Sequence, residues 1–250
     1  MISPSGIFLG DAYQLVKQIP DKSIDLVVID PPYEIDGGGG GGAFGRENRS
    51  YHQEVSDKLN YGVKNEILVE LERVMKIPNI YIFCNKNQIL QYLDFYKDKN
   101  IDLLVWHKTN PIPTVNNKYL SDLEYIIFAR GAGACFNNTY ETSSKLFSTP
   151  INKVDKELYE HATIKPQWII ETLIRNSSKE GDVVLDCFSG SGTTCAAAKT
   201  LGRGYIGIEI EERWYKISVD RLNGITAEDR RSIEKGQISL FDDWSENDQK

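Results

Sequence analysis

The chain has 250 residues, 40% of them hydrophobic and 26% charged, with a net charge of −7, enough apolar material for one α/β domain with a sizeable core. No run approaches the roughly 18 apolar residues of a membrane helix and no basic segment leads into an apolar one at the N-terminus, so a cytoplasmic protein without membrane association is expected. Four cysteines without a CxxC pair and three widely spaced histidines exclude a zinc knuckle and a disulfide framework, and no metal is expected. The acidic balance speaks against a wholly basic nucleic-acid surface, but residues 225–250 carry seven acids and four bases, nearly half of the excess. A local basic cleft on the body is compatible with that.

Apolar runs alternate with amphipathic segments in a βα rhythm, which predicts a mostly parallel sheet with helices on both faces. "GIFLGD" is a strand ending on Asp11, "AYQLVKQI" a short helix stopped by Pro20, and "SIDLVVID" a strand rich in β-branched residues that ends on Asp30. Two prolines, a tyrosine and a stretch with seven glycines in nine positions follow. Next come the helix "KNEILVELERVM", the strand "NIYIFC", the helix "QILQYLDFYKD", and the strands "IDLLVWHK" and "LEYIIFAR". Residues 131–160 are the least regular. Then "PQWIIETLIRNSS" is a helix, "DVVLDCF" a strand, "TTCAAAKTLG" a helix, "GYIGIEI" a strand and "ERWYKISVDRLNGI" a closing helix.

"DVVLDCFSGSGTTCAAA" reads as strand, glycine turn and helix, with Gly190, Ser191, Gly192 and Thr193 placed for close approach of a ligand at the helix start. Glu209 ends the next strand, where an acid can accept hydrogen bonds from a ribose diol. A nicotinamide dinucleotide competes for such a motif. However, Cys195 replaces the third glycine of the dinucleotide fingerprint, and Asp186 would repel a pyrophosphate while attracting a cation. S-adenosylmethionine, with a sulfonium, an ammonium and a ribose but no phosphate, fits better.

"DPPY", "DCFSGSGTT", "LGRGYIGIEI" and the upstream "HATIKP" together resemble the beta group of S-adenosylmethionine-dependent DNA amino-methyltransferases, over about residues 6 to 222. The resemblance implies a circularly permuted Rossmann-like sheet whose strands ending at Asp186, Glu209, Asp11 and Asp30 lie side by side and line one crevice. It also implies catalysis by Asp30, Pro31, Pro32 and Tyr33. Asp30 and the Pro31 carbonyl accept the two N–H bonds of a flipped-out adenine amine, the prolines fix the backbone, and Tyr33 stacks on the base.

By the same resemblance His161, Thr163 and Lys165 lie against the cofactor, the latter two near its methionine carboxylate, although Ala162 and Ile164 depart from the family pattern. Asp11 faces the cofactor's adenine or caps a helix, and Phe188 packs beside the cofactor. The polyglycine loop is expected to close over the ligands, with Arg46 and Arg49 reaching phosphates. A small target-recognition insertion is expected at about 109–160 on a catalytic domain spanning 1–224. Lys108, Asn110, Asn116, Asn117 and Lys118, with Asn137, Asn138, Tyr140 and Lys145, are its candidate contacts to double-stranded DNA.

In the charged tail, 225–250, Gln237, Leu240 and Phe241 resemble the QxxLF peptide that docks on a bacterial sliding clamp; a terminal apolar patch packed on its own domain is the competing reading. A homodimer is among the assemblies the sequence allows. The leading expectation is a DNA adenine-N6 methyltransferase of a restriction-modification system or a phage. Cytosine-N4 transfer stays open, although that subgroup usually has serine at the position of Asp30. Methylation of RNA or of a protein amide, and a catalytically silent DNA-binding relative, are the further alternatives.

Overall fold

A computed structural model of the chain describes residues 5–34, 62–111, 113, 119–151, 158–159 and 164–235. Eight strands form one sheet: β1 (Gly6–Leu9), β2 (Leu26–Ile29), β3 (Asn79–Cys84), β4 (Asn100–Lys108), β5 (Leu123–Arg130), β6 (Leu146–Thr149), β7 (Val183–Asp186) and β8 (Gly204–Glu209). Their spatial order is β1-β8-β7-β2-β3-β5-β4-β6. All neighbours are parallel except β5, which runs antiparallel to both β3 and β4. The expected mostly parallel sheet is therefore observed. Two strands from the C-terminal third, β7 and β8, are inserted between the two N-terminal strands, which is the circular permutation of a Rossmann-like sheet.

Why these strands sit in the middle is visible in their alternation. In β2, Val27 and Ile29 join one core while Leu26 and Val28 join the other, so both faces are apolar and both must be covered. On the first face lie α1 (Ala12–Leu15), which continues as a short 3₁₀ turn to Gln18, α2 (Asn65–Val74) and α3 (Ile89–Phe95). Ile67, Leu68, Leu71 and Val74 recur at helical spacing on α2 and are all fully buried there. The second face is covered by α4 (Gln167–Ser177) and α5 (Thr193–Thr200), through Ile169, Ile170, Leu173 and Ile174 of α4 and Ala197 and Ala198 of α5. α6 (Glu212–Leu222) packs beside α5 and against β1 and β8.

Two elements depart from the sequence reading. β6 lies inside the span expected to be an irregular insertion and pairs parallel with β4, so part of that span belongs to the main sheet. Its four residues have only Phe147 buried, so its apolar signal is a single residue. In the charged tail, α7 (Ala227–Glu234) starts with a reciprocal capping box between Thr226 and Asp229, and Arg230 pairs with Asp220 of α6 at 3.2 Å. No helix among the described residues is long and apolar enough to cross a membrane.

Candidate active site

β1, β8, β7 and β2 end side by side, and Asp11, Glu209, Asp186 and Asp30 stand at or just beyond those ends around a cavity of about 510 Å³. This is the crevice at the carboxyl edge of an open α/β sheet, at the point where the chain leaves β7 and β2 in opposite directions. Among the described residues the lining carries five acids, Asp11, Asp30, Asp186, Glu209 and Glu211, and one base, Lys165. Such a wall favours a cation over a phosphate.

The turn after β7 is held by the acid that ends β8. Gly190, in the left-handed region at φ 50°, donates its N–H to Glu209 Oε2 at 2.7 Å, and Glu211 N–H donates to Glu209 Oε1 at 2.8 Å. Burial raises the Glu209 carboxyl above the usual range, and both backbone donors oppose that rise. Asp186 accepts from Phe188 N–H at 3.0 Å, and burial pushes it up to about 7. Ser189 Oγ is buried in the cavity wall with no hydrogen-bond partner among the described residues, a polar atom available to a ligand. Ser191, Thr193 and Phe188 also line the cavity.

Gly192 does not line the cavity. At φ 77° it lets the turn pass α6, and a Cβ there would come within 2.9 Å of Ser218 Cβ. Asp11 lines the cavity and also caps α1, accepting from Tyr13 N–H at 2.9 Å, so its two readings are compatible.

The corner after β2 is fixed from behind. Gln88 Nε2 donates to the Pro32 carbonyl at 3.0 Å and Asn85 Nδ2 to the Glu34 carbonyl at 2.6 Å, so the loop between β3 and α3 holds Pro31, Pro32 and Tyr33 against the cavity. Lys165 Nζ pairs with Asp30 Oδ2, and with Glu124 Oε1 at 2.9 Å. The Tyr33 hydroxyl donates to the same Glu124 oxygen at 2.6 Å, and Lys108 Nζ meets Glu124 Oε2 at 2.7 Å. Asp30 Oδ1 is buried and has no hydrogen-bond partner among the described residues.

The side chains of Lys165 and Glu124 are 7% and 8% exposed, so solvent screens their attraction little. Burial works against the Glu124 charge, but Lys165 and Lys108 overcome it and hold the carboxyl down at about 2. Burial, with Glu124 adding repulsion, raises the Asp30 carboxyl despite Lys165. Lys165 is held in its charged form by the two carboxylates, against its own desolvation. Burial and both carboxylates push the Tyr33 phenol well up, so it is a neutral donor.

The expected partner of Lys165 was a ligand carboxylate; it lines the cavity, but its ammonium is engaged by Asp30 and Glu124. Lys108, expected on DNA, is drawn onto Glu124 and lies over Trp106 at 4.9 Å. Asn110 accepts from Ile151 N–H at 2.6 Å, joining the segments that follow β4 and β6; Asn137 N–H donates to the Asn176 carbonyl of α4 at 2.6 Å, and Lys145 pairs with Asp102 of β4. Asn138 Nδ2 donates to Ser143 Oγ at 2.5 Å, while Tyr140 projects into solvent. Arg46, Arg49, Asn116, Asn117, Lys118, His161, Thr163, the polyglycine loop, Gln237, Leu240 and Phe241 lie outside the described residues.

A family model described as DNA methylase matches residues 24–220, most of the chain. The chain belongs to that family. The methylase is 30% identical over 235 residues to the type II methyltransferase M2.LlaDCHI of Lactococcus lactis subsp. cremoris, covering 86% of this chain and 87% of that one. It is 30% identical to M2.DpnII of Streptococcus pneumoniae, covering 85% and 87%, and 31% identical to M.HinfI of Haemophilus influenzae, covering 88% and 68%. Among solved structures, the M1.HpyAVI complex with SAM superposes with a TM-score of 0.66 at 25% identity, covering 87% of this chain and 98% of that one. PvuII DNA methyltransferase, cytosine-N4-specific, shares the fold with a TM-score of 0.67 at 18% identity, covering 94% and 93%.

The methylase is an S-adenosylmethionine-dependent DNA methyltransferase, and the acid-lined cavity suits that cationic cofactor. Two residues that hold its site together escaped sequence reasoning. Glu124 sits inside an ordinary strand pattern. Arg221, buried on α6, donates to Thr193 Oγ1 at 2.8 Å and Gln167 Oε1 at 3.0 Å, tying the start of α5 to the start of α4. Its sole sequence signal is position near the end of an amphipathic helix.

Proposed function

We propose that this methylase transfers a methyl group to the exocyclic N6 of an adenine flipped out of double-stranded DNA, as the modification enzyme of a restriction-modification system. The observation that carries the reading is the state of Asp30: one oxygen is committed to Lys165 and the other is buried without a partner among the described residues, beside Tyr33 at the edge of the cavity. An aromatic amine is a poor nucleophile because its lone pair is delocalised into the ring. Asp30 Oδ1 accepting one N–H localises that pair on nitrogen and stabilises the positive charge that grows there. The proline corner offers its carbonyl to the second N–H, and the Tyr33 ring offers a stacking face. A paired base cannot enter such a corner, which is why the target must leave the duplex.

When bound, S-adenosylmethionine would supply an electrophilic methyl on positively charged sulfur and leave as the neutral thioether, while Asp30 Oδ1 would hold the N–H whose proton the methylated nitrogen gives up to solvent. Ser189, Gly190 and Glu209 would hold the polar ends of the cofactor, and Asp186 would face positive charge. Relatives named as type II methyltransferases support the restriction-modification role. The aspartate at the head of the corner favours adenine over cytosine.

Incubating the purified chain with S-adenosylmethionine and unmethylated genomic DNA, then separating the nucleosides, is expected to yield N6-methyladenine. N4-methylcytosine alone overturns the adenine assignment. Long-read sequencing of the same DNA locates the target site.

A further inference from the structure

Glu124 is the hub of the buried charges, yet it does not line the cavity and cannot touch a substrate there. It lies on β5, which is separated from β2 by β3, and reaches the corner only through other side chains. One of its oxygens receives both the Tyr33 hydroxyl at 2.6 Å and Lys165 Nζ at 2.9 Å, and the other is held by Lys108 at 2.7 Å. The Lys165 ammonium in turn lies 5.4 Å from the centre of the Tyr33 ring and 5.3 Å from that of Phe83, so the ring, the ammonium and the carboxylate form one packed unit.

We propose that Glu124 is a positioning residue for methyl transfer: through the Tyr33 hydroxyl it sets the plane on which the target base stacks, and by sharing Lys165 it leaves one oxygen of Asp30 open to the base amine. The inference rests on the corner binding a base as described above, but not on which base it is.

Two physical consequences separate this from a merely structural salt bridge. A tyrosine ring with a free hydroxyl can rotate about its side-chain torsions; a hydroxyl bonded to a buried carboxylate cannot do so without leaving that carboxylate short of a donor. Lys165 is also divided between two acids. Without the Glu124 charge, the ammonium serves Asp30 alone, lowers the proton affinity of Asp30 and weakens it as an acceptor. The groups that face Asp30 are Lys165 ahead of α4, Glu124 on β5 and Tyr33 of the corner; Asp186 on β7, Cys84 on β3 and Tyr92 on α3 also interact with it electrostatically. Glu124 to Gln removes charge from this set while keeping an oxygen that can accept from Tyr33.

The test uses the full chain, radiolabelled S-adenosylmethionine and unmethylated genomic DNA, with single-turnover transfer measured from pH 5 to 9. For E124Q, the affinity for S-adenosylmethionine is expected to stay within about twofold of the original, because Glu124 is outside the cavity. Transfer is expected to fall roughly 10- to 100-fold, the scale of a hydrogen bond to a charged group. The acid limb of the rate profile should move to lower pH. Y33F should slow transfer at unchanged cofactor affinity, and Y33F/E124L should be little slower than E124L, since phenylalanine at 33 and leucine at 124 each break the same hydroxyl–carboxylate link.

An E124Q enzyme with the original rate and profile, or fully additive effects in the double variant, overturns the proposal. Should E124Q not fold, Y33F decides alone: transfer at the original rate without the hydroxyl overturns it. The nucleoside made by the unaltered chain reports on the base assignment separately, because ratios of variant to original rates do not depend on which base is methylated.

Discussion

At the scale of single residues, the site is built on unequal treatment of its carboxylates. Asp30, Glu124, Asp186 and Glu209 all lie in or behind one crevice, but Glu124 is held ionised by two lysines whereas Asp186, with no cationic partner among the described residues, is pushed up to about 7. Replacing Lys165 by methionine takes the ammonium partner from Asp30 and leaves Glu124 with Lys108 alone, and is expected to cost about 3–5 kcal/mol of folding stability in a urea titration. A loss below about 1 kcal/mol would mean that the ammonium is not part of the fold. Asp30→Asn keeps the shape of the corner but replaces its charge with a neutral amide. Single-turnover transfer is expected to drop roughly 10²- to 10³-fold, with S-adenosylmethionine still bound in equilibrium dialysis. The acid of the "DPPY" corner stood out in the sequence because the motif accompanies a cofactor motif and together they carry the family resemblance; alone, Asp-Pro-Pro reads equally as a rigid strand exit. Glu124 was not, because an acid in "LEYIIFAR" looks like the solvent side of a strand until the sheet order puts it behind Tyr33.

At the scale of elements, turns and short helices decide where these side chains stand. The turn after β7 runs through two left-handed glycines, Gly190 and Gly192, and serves two purposes: the first presents its N–H to Glu209 and the second lets α5 begin against Ser218 of α6. Alanine at 192 meets both a strained φ and a Cβ contact of 2.9 Å. It is expected to cost about 1–3 kcal/mol in stability, seen as a lower urea midpoint at unchanged slope. Unaltered stability would show that the turn adopts another path. Most elements were readable because their periods are unambiguous: β3 and β5 were expected at 79–84 and 123–130 and are observed there. β6 was not, since a four-residue strand with one buried side chain carries no period. α7 was overlooked although Thr226 and Asp229 have capping-box spacing, because the surrounding charges resemble a solvated tail.

At the scale of the whole molecule, pH acts on stability and binding through the same crevice. An unfolded aspartate ionises near pH 3.9, so the proton that folded Asp186 keeps up to about 7 favours the fold at low pH. That contribution is complete below about 4 and is lost as pH rises through 7, whereas the one from Glu124 is present above the ordinary carboxylate range and is lost only as pH falls through about 2. A cation in the crevice reverses the preference of Asp186. The rise in melting temperature produced by S-adenosylmethionine is therefore expected to be larger at pH 8 than at pH 6; equal shifts would mean that Asp186 does not face the cofactor's charge. The sequence by itself determined the strand and helix series, the cofactor motif and the proline corner, because each is a local pattern of residue spacing, turn chemistry and β-branched runs. The family resemblance already implied that the strands ending at Asp186 and Glu209 join those ending at Asp11 and Asp30; only the tertiary structure decided that Lys108, Glu124 and Lys165 close a charge chain on Asp30 and Tyr33. The reason is physical: 91 residues separate Tyr33 from Glu124, and which buried charges meet across such a distance is set by sheet order and burial, which no local pattern encodes.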